Sequence, residues 1–282
     1  MTREVTPEFV ERGYNNRAAV PDHPRFLVQY PALSNATREK YRPQRDLRYG
    51  PNPCETLDLF VPGGAPRGTF VFIHGGYWRA FTKDDFSFVA GPLVDAGLAV
   101  AVLDYDLCPT VSIATIVDEC RRALSWIARE GSRHGANPDN VVVGGHSAGG
   151  HLAAMMFVTD WAAHGLERTP FVGGLTLSGV HDLAPMLKFS FNADFKLDSA
   201  EAERMSPVNF ASRSGVPLLM ACGADETSEF LRQTQILWTA WPANRPAGEA
   251  GPFVVPKRNH FTIVVDYGDP DSELVRRTLA LF

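Results

Sequence analysis

The chain of 282 residues is 45% hydrophobic and 21% charged, which excludes a globally disordered protein and suits one large packed core. Its 27 basic and 32 acidic residues leave a formal net charge of −5, which argues against a dedicated nucleic-acid-binding protein. The first 20 residues show no apolar signal-peptide region, and the apolar runs are too short to span a bilayer. We therefore expect a cytoplasmic protein with neither a nucleic-acid nor a membrane partner.

After an N-terminal arm (residues 1–41) that is predicted to be irregular or helical, apolar strands alternate with amphipathic helices. The predicted strands are 45–49, 56–61, 69–73, 98–103, 141–145, 172–177, 218–222 and 253–255. The predicted helices are 86–96, 113–129, 149–158, 228–238 and 272–282. This alternation predicts an α/β fold with a mostly parallel central sheet, helices on both faces and an antiparallel edge. No linker interrupts it, so we expect a single domain over residues 1–282.

Residues 183–213 break this alternation and are predicted to form a cap-like helical insertion. It would lie above the carboxyl edge of the sheet, where α/β sheets bind ligands. The segment carries several apolar side chains that cannot all pack on a sheet already covered by helices. We expect Phe189 and Phe191 to form a wall of the ligand pocket. The alternative is a surface helix that packs only on its own neighbours.

Residues 145–149 read GHSAG and lie directly between a predicted strand and a predicted helix. This is the context of a nucleophile elbow, a tight turn that exposes a serine hydroxyl at the carboxyl edge of the sheet. The turn requires small residues two positions before and after the serine, and Gly145 and Gly149 meet that requirement. Ser147 is therefore the predicted nucleophile. The alternative is a glycine-rich turn that binds an anion at a helix N-terminus.

A serine that attacks a carbonyl creates an oxyanion, which needs backbone N–H donors already in place. Ala148, the residue after the serine, is expected to supply one. Gly75 and Gly76 are expected to supply the others, because they follow a predicted strand and lack a Cβ that would obstruct the substrate. Tyr77 and Trp78 continue the same loop. They either bound the acyl side of the pocket or anchor the loop in the core.

The general base is expected after the last strand, because the α/β-hydrolase order is serine, acid, histidine. His260 fits this order, and His181 is the second choice since it follows the strand ending near residue 177. His151 lies one turn into the helix after the serine, where we expect it to be packed. His74, next to the glycine loop, is interpreted as bracing that loop through its ring.

The acid that orients the histidine is expected in the loop after the penultimate strand. Asp225 stands there, 35 residues before His260 (260 − 225 = 35), and is the predicted acid. Asp182 is the alternative, because it follows the strand nearest to the serine helix. Glu226 is interpreted as a solvated residue or an outlying contact of the site.

These motifs together resemble the kynurenine formamidase (arylformamidase) family of α/β-hydrolases, which is related to the hormone-sensitive-lipase-like esterases. The resemblance covers about three quarters of the chain. It rests on HGGYW at 74–78, DYDLCP at 104–109, GHSAGGHL at 145–152, GVHDL at 179–183, SP at 206–207, AD at 224–225 and HF at 260–261. It implies a triad of Ser147, Asp225 and His260, oxyanion glycines at 75 and 76, and a homodimer. His181 stands where relatives carry tyrosine, so it is expected to face the substrate.

The resemblance implies a metal-independent serine hydrolase that cleaves a small N-formyl arylamide through a formyl-enzyme intermediate. Phe189 and Phe191 would then bind the aryl group, and Tyr77 and Trp78 would close the small acyl side. A carboxylesterase for short-chain or aryl esters uses the same residues and is the alternative. A non-catalytic receptor with this fold is a third hypothesis, which the complete set of three catalytic residue types disfavours.

No cofactor is expected. The four cysteines show no CxxC spacing, and the chain contains neither an HExxH motif nor a phosphate-binding loop, so no metal or nucleotide is indicated. The expected partners are therefore a small-molecule substrate and a second copy of the chain.

Overall fold

A single eight-stranded sheet organises the protein, as seen in a computed structural model that describes residues 5–282. The strands are β1 (Gln44–Arg48), β2 (Thr56–Phe60), β3 (Thr69–Ile73), β4 (Ala99–Leu103), β5 (Val141–His146), β6 (Gly173–Leu177), β7 (Leu218–Gly223) and β8 (Phe253–Val255). Their spatial order is β1-β2-β4-β3-β5-β6-β7-β8. The β1–β2 and β2–β4 pairs are antiparallel and all the others are parallel. The predicted α/β-hydrolase fold with an antiparallel edge is confirmed.

Helices cover both faces of this sheet, because strands β2 to β7 are buried along their whole length and need apolar cover on each side. The helices are α1 (Pro7–Tyr14), α2 (Asn16–Ala19), α3 (Pro24–Tyr41), α4 (Gly91–Asp95), α5 (Ile113–Glu130), α6 (Ala148–Phe157), α7 (Asn192–Phe195), α8 (Ser199–Arg204), α9 (Ser228–Ala240) and α10 (Glu273–Leu279). Two hydrophobic clusters result, one on each face of the sheet.

The predicted strands agree with the observed ones to within one residue at each end. The single helix predicted over 86–96 is not observed as such. The chain forms a 3₁₀ segment (Ser87–Ala90) followed by the short helix α4. Pro92 lies in the first turn of α4, where its missing N–H has no intrahelical partner to lose. Among residues 5–282, none of the helices combines the length and the apolar character that crossing a membrane would require.

The N-terminal arm is helical through α1 to α3, and tyrosine side chains attach it to the body of the protein. The Tyr14 hydroxyl accepts a hydrogen bond from Gln233 Nε2 at 2.7 Å. The Tyr30 hydroxyl donates to the backbone carbonyl of Phe261. Both tyrosine side chains are fully buried, so the arm is an integral part of the structure.

Residues 183–213 contain the short helices α7 and α8 with a 3₁₀ turn on either side. Two of the aromatic side chains in this segment pack inwards, however. Phe189 and Phe195 are only 3% and 2% exposed and contact Tyr77 and Trp78. The segment therefore extends the hydrophobic core over the HGGYW loop.

Candidate active site

Ser147 occupies the sharp turn between β5 and α6. Its backbone has φ 57° and ψ −118°, a strained conformation that non-glycine residues rarely adopt. The chain passes so close to itself here that a Cβ on Gly145 would lie 2.2 Å from the Gly149 carbonyl oxygen. A Cβ on Gly149 would lie 2.0 Å from the carbonyl oxygen of Ile73. The two glycines of the GHSAG motif are thus required by close backbone contact.

His260 lies beside this serine, in the loop after β8. Its Nε2 is 2.9 Å from Ser147 Oγ, and the two residues are only 5% and 3% exposed. The imidazole is held between two rings, Phe230 at 4.4 Å and His146 at 4.8 Å between centroids. The structure thus brings together the predicted nucleophile and base from positions 113 residues apart.

The expected acid, Asp225, is not at the histidine, and this prediction is wrong. Glu226 occupies the position instead, with Oε2 2.7 Å from His260 Nδ1. The Glu226 carboxylate also accepts hydrogen bonds from the Gly223 N–H at 2.7 Å and from the Ser178 hydroxyl. Its side chain has no exposed surface, whereas Asp225 is exposed to solvent. The prediction of Glu226 as a solvated or outlying residue is corrected at the same time.

A turn after β7 explains why the second carboxylate takes this role. The Asp225 N–H donates to the Arg258 carbonyl, which directs the backbone of this residue towards the neighbouring loop. The Glu226 N–H folds back to the Gly223 carbonyl, so that its longer side chain returns beneath His260. Gly223 permits the turn, since a Cβ there would lie 2.1 Å from the Arg258 carbonyl oxygen.

Ser178 is a residue of the site that the sequence did not reveal. It follows β6 with φ 54°, in the left-handed region that serine rarely adopts. Its side chain is buried, and its hydroxyl donates to the Glu226 oxygen that does not face His260. Ser178 therefore helps to hold the carboxylate in place, and its strained backbone is the structural sign of that role.

The two expected oxyanion glycines lie next to the serine. A Cβ on Gly75 would lie 3.0 Å from Ser147 Cβ, and Gly76 has φ +113°, where a side chain would be strained. Within residues 5–282, neither glycine N–H donates to another backbone group. Ala148 begins α6, so its N–H has no acceptor in a preceding helical turn. Three donors near Ser147 are thus not used in the local backbone structure.

His74 braces this loop as expected. Its Nδ1 lies 2.7 Å from the Gly75 carbonyl oxygen, and its ring stacks on Tyr105 at 4.2 Å. The Tyr105 hydroxyl donates to the His74 carbonyl at 2.8 Å. The side chain is fully buried and does not line the cavity at the serine.

A narrow cavity, with about 70 Å³ of space accessible to a water-sized molecule, reaches Ser147 and His260. Most of its wall is apolar and comes from the loop after β3 and from the N-terminal arm. The arm contributes Asn15, Asn16, Arg17, Leu27 and Tyr30, none of which the sequence indicated. Only the general rule that pockets form between packed elements could have pointed to them.

Of the expected substrate-binding residues, Tyr77 and Phe191 line this cavity. Phe189 and Trp78 do not, so their predicted contact with the substrate is wrong. Trp78 has no exposed surface and packs edge-on against His151 and Phe195. The core alternative therefore holds for Trp78, because the indole N–H finds an acceptor at His151 Nδ1, 3.2 Å away, inside the protein.

His181 is also placed away from the cavity, and its expected contact with the substrate is wrong. It is fully buried, with Nε2 3.1 Å from Thr176 Oγ1, and burial lowers its pKa to about 3. Asp182 pairs with Arg232 at 3.4 Å rather than with a histidine. His151 is packed as predicted. Its Nε2 lies 2.7 Å from the Met205 carbonyl oxygen, and burial lowers its pKa to about 4.

His146, directly before the serine, is buried against the loop that carries His260. Its Nε2 lies 2.9 Å from the His260 carbonyl oxygen. Burial, followed by the neighbouring His260, holds its pKa well below the ordinary value. The imidazole is therefore neutral and connects the elbow to the histidine loop. Within residues 5–282 no group of three or more His, Cys, Asp or Glu side chains is arranged to hold a metal ion.

Comparison with known proteins supplies a family context for this geometry. The BD-FAE family model matches residues 57–170. A kynurenine formamidase from Salmo salar is 30% identical over 244 residues, which cover 84% of this chain and 81% of that protein. The corresponding enzyme from Danio rerio is 29% identical, covering 84% and 80%.

Two solved structures extend this comparison. A candidate thioesterase from Silicibacter sp. tm1040 superposes with a TM-score of 0.82 at 32% identity, covering 93% of this chain and 96% of that one. Esterase B from Lactobacillus rhamnosis superposes with a TM-score of 0.70 at 21% identity, covering 94% and 96%. The second likeness concerns the fold alone.

Proposed function

Because this chain belongs to the kynurenine formamidase family of α/β-hydrolases, and is a hydrolase by that membership, we propose that it cleaves small N-formyl arylamides with Ser147, His260 and Glu226. The observation that carries the proposal is the continuous relay of 2.9 Å from Ser147 to His260 and 2.7 Å from His260 to Glu226. This spacing is what a serine nucleophile, its base and an orienting acid require.

In the first step, Ser147 Oγ attacks the formyl carbon while His260 Nε2 accepts the hydroxyl proton. Glu226 accepts the hydrogen bond from His260 Nδ1–H, which keeps Nε2 unprotonated and facing the serine. The carboxylate then stabilises the imidazolium that forms. Its other oxygen is held by Gly223 and Ser178, so the carboxylate is fixed before the reaction begins.

The carbonyl oxygen becomes an oxyanion in this step, and backbone N–H groups are proposed to bind it. The donors are those of Gly75, Gly76 and Ala148, which are not used in the local backbone structure. Removing one such donor from a serine hydrolase costs about a hundred- to a thousandfold in rate.

The intermediate then collapses as the carbon–nitrogen bond breaks, and His260 Nε2–H protonates the departing arylamine nitrogen. The product is a formyl ester of Ser147. Water attacks this ester, His260 accepts the water proton, and formate leaves as the serine oxygen is reprotonated. Every proton in both halves of the reaction passes through the same nitrogen.

A carboxylesterase acting on short-chain or aryl esters is the second candidate, and one observation favours it. Trp78 is in the core rather than at the cavity, so it does not close the acyl side to formyl-sized groups. Comparing kcat/KM for formanilide, acetanilide and phenyl acetate separates the two. A formamidase turns over formanilide far better than acetanilide, whereas an esterase prefers phenyl acetate and leaves both amides nearly intact.

Ser147→Ala tests the nucleophile. The substitution should lower kcat by about a millionfold, because no other group at the elbow can form the acyl-enzyme. It should leave the thermal unfolding temperature nearly unchanged, since among residues 5–282 the hydroxyl forms a hydrogen bond with His260 alone. Mass spectrometry after treatment with a fluorophosphonate should show one adduct on the wild-type protein and none on the variant. Residual activity above a few per cent would overturn the assignment.

Glu226→Gln tests the orienting acid, with Asp225→Asn as the matched control. The amide cannot hold the imidazole in the correct tautomer or stabilise its charge, so kcat should fall by about a thousand- to ten-thousandfold. The exposed Asp225 should tolerate its substitution with less than a twofold change. The reverse ranking in a rate assay would return Asp225 to the role first expected for it.

We also propose that the protein acts in the cytoplasm as a homodimer. All four cysteines are free thiols, which suits a reducing compartment. Sedimentation equilibrium at micromolar concentration tests the assembly, and a mass close to 31.0 kDa would contradict the dimer.

A further inference from the structure

The turn between α1 and α2 brings polar side chains into a largely apolar cavity. Asn15 is fully engaged within the arm, because its Oδ1 accepts from the Ala18 N–H and its Nδ2 donates to Glu11. Asn16 differs. It is only 4% exposed and lines the cavity, yet its Nδ2 donates to no acceptor within residues 5–282. A buried amide without a partner costs about 1–3 kcal/mol, which a ligand acceptor can recover.

Arg17 places a positive charge beside this amide. It lines the cavity and is exposed, and no carboxylate of the described chain lies within 4 Å of its guanidinium. The other arginine at the cavity is different, because Arg79 pairs with Asp194 at 2.6 Å and lies over the Phe191 ring. Arg17 is thus the lining cation whose charge is left uncompensated.

The remaining wall offers nothing that would repel an anion. Besides the two arginines, the lining residues are neutral or apolar, and none of them is an aspartate or a glutamate. Glu226 is enclosed beneath His260 and Glu11 is bound by Asn15, so neither carboxylate lines the cavity. The cavity therefore contains Ser147 and apolar wall residues. The arm adds the uncompensated charge of Arg17 and the unpartnered amide of Asn16.

We infer that Asn16 and Arg17 form a subsite that binds an anionic group, a carboxylate, on the leaving group of the substrate. The inference rests on the proposed hydrolase function of the same cavity. The carboxylate accepts hydrogen bonds from the guanidinium and the amide, while the apolar part of the leaving group packs on the wall between them and Ser147. Arg17 and Asn16 thereby select charged over neutral substrates without touching the reacting carbonyl.

The test uses two pairs of substrates that differ only in charge. One pair is 3-(4-formamidophenyl)propanoate and its primary amide, and the other is 3-(4-acetoxyphenyl)propanoate and its primary amide. The wild-type protein should prefer each acid. Arg17→Gln should lower kcat/KM about tenfold for the acids, through KM, and leave kcat/KM for the amides within twofold, because only the acids lose a charge-assisted hydrogen bond. A tenfold change corresponds to about 1.4 kcal/mol. Asn16→Ala should show the same selectivity with a smaller loss.

Arg25→Gln is the matched control, because Arg25 lies on α3, pairs with Asp22 at 2.9 Å and does not line the cavity. This substitution should leave kcat/KM unchanged for both pairs of substrates. Equal losses for acid and amide in Arg17→Gln, or no preference for acids in the wild-type protein, would overturn the subsite. If only the acetate pair is hydrolysed, the formamidase proposal fails while the acid-to-amide ratio still tests the subsite.

A binding measurement keeps the subsite testable even without turnover. Calorimetric titration of Ser147→Ala with 3-phenylpropanoate and with 3-phenylpropanamide compares the same two groups in the absence of chemistry. The acid should bind about tenfold more tightly, and adding Arg17→Gln should remove the difference. Equal affinities for acid and amide in the Arg17-containing protein would contradict the subsite directly.

Discussion

The N-terminal arm and the 183–213 segment both pack beside the Ser147 cavity, but they serve it in different ways. The arm contributes five residues to the cavity wall, whereas the segment contributes only Phe191. Two other aromatic side chains of the segment, those of Phe189 and Phe195, are buried against Tyr77 and Trp78. The comparison shows that aromatic richness near an active site does not identify the binding wall, because large apolar side chains gain most from complete burial.

The two regions are also attached by different chemical groups. The arm is held by tyrosine hydroxyls, those of Tyr14 and Tyr30, whose pKa values burial raises far above neutral pH. The segment is held in part by an imidazole, since His151 donates to the Met205 carbonyl. An imidazole can change its protonation state in the acidic range, whereas a tyrosine hydroxyl does not.

Phe189→Ala should have the largest effect among the substitutions that distinguish the two regions, and the effect should be on stability rather than on substrate binding. Phe189 is 3% exposed and packs on Phe191 at 4.7 Å and Tyr77 at 5.3 Å, so its removal leaves a cavity in the core. The free energy of unfolding should fall by about 3–5 kcal/mol, measured by urea denaturation. The KM of the folded variant for an aryl substrate should change less than twofold. A large rise in KM without loss of stability would restore Phe189 to the wall.

Acidification should lower the free energy of unfolding through His151, which holds the segment. The pKa of His151 is lowered to about 4 by burial, so between its folded value and about 6.5 the unfolded chain binds a proton that the native chain does not. The free energy of unfolding therefore rises with pH across this window and falls on acidification. His151 contributes about 1.4 kcal/mol per pH unit to that slope.

Urea denaturation between pH 4.5 and 6 should show the slope reduced by this amount in His151→Gln. Glu119 opposes the trend, because burial raises its pKa to about 7 and makes the native chain bind the extra proton, but it affects both proteins equally. Tyr14→Phe is the control on the arm and should lower stability without changing the slope. An unchanged slope in His151→Gln would show that His151 does not stay neutral in the native protein.

Local sequence pattern was sufficient to predict the sheet and the sharp turn at Ser147. Strands such as β3 and β5 are continuous apolar runs bounded by turn residues, and both elbow glycines stand within two positions of Ser147 in the sequence. Phe189 and Trp78 were harder to place. Phe189 packs on Tyr77, and Trp78 packs on Phe195, so both contacts join residues more than 100 positions apart in the sequence. No periodicity within either segment encodes such contacts.

The choice between two adjacent carboxylates shows the same limit at closer range. Asp225 and Glu226 share the loop after β7, and chain order could not distinguish them. The deciding facts are a turn closed on Gly223 and a donor from Ser178, residues that meet only in the folded protein. Arm residues such as Asn16 and Leu27 were missed for the same reason, because their approach to the cavity is a consequence of docking.

Leu27→Ala should have the smallest effect of these substitutions. It tests most directly whether the arm forms the part of the cavity wall that contacts the aryl group. Leu27 is half-buried on α3 and lines the cavity, so an aryl substrate covers part of its side chain. Losing that contact should cost about 1 kcal/mol, or about a fivefold drop in kcat/KM for formanilide. Formamide itself has no aryl group and should be hydrolysed at the wild-type rate. Since the side chain is only half-buried, the unfolding temperature should change little. An equal loss for formanilide and formamide would mean that Leu27 supports the catalytic residues rather than the aryl group, and the arm would then resemble the segment.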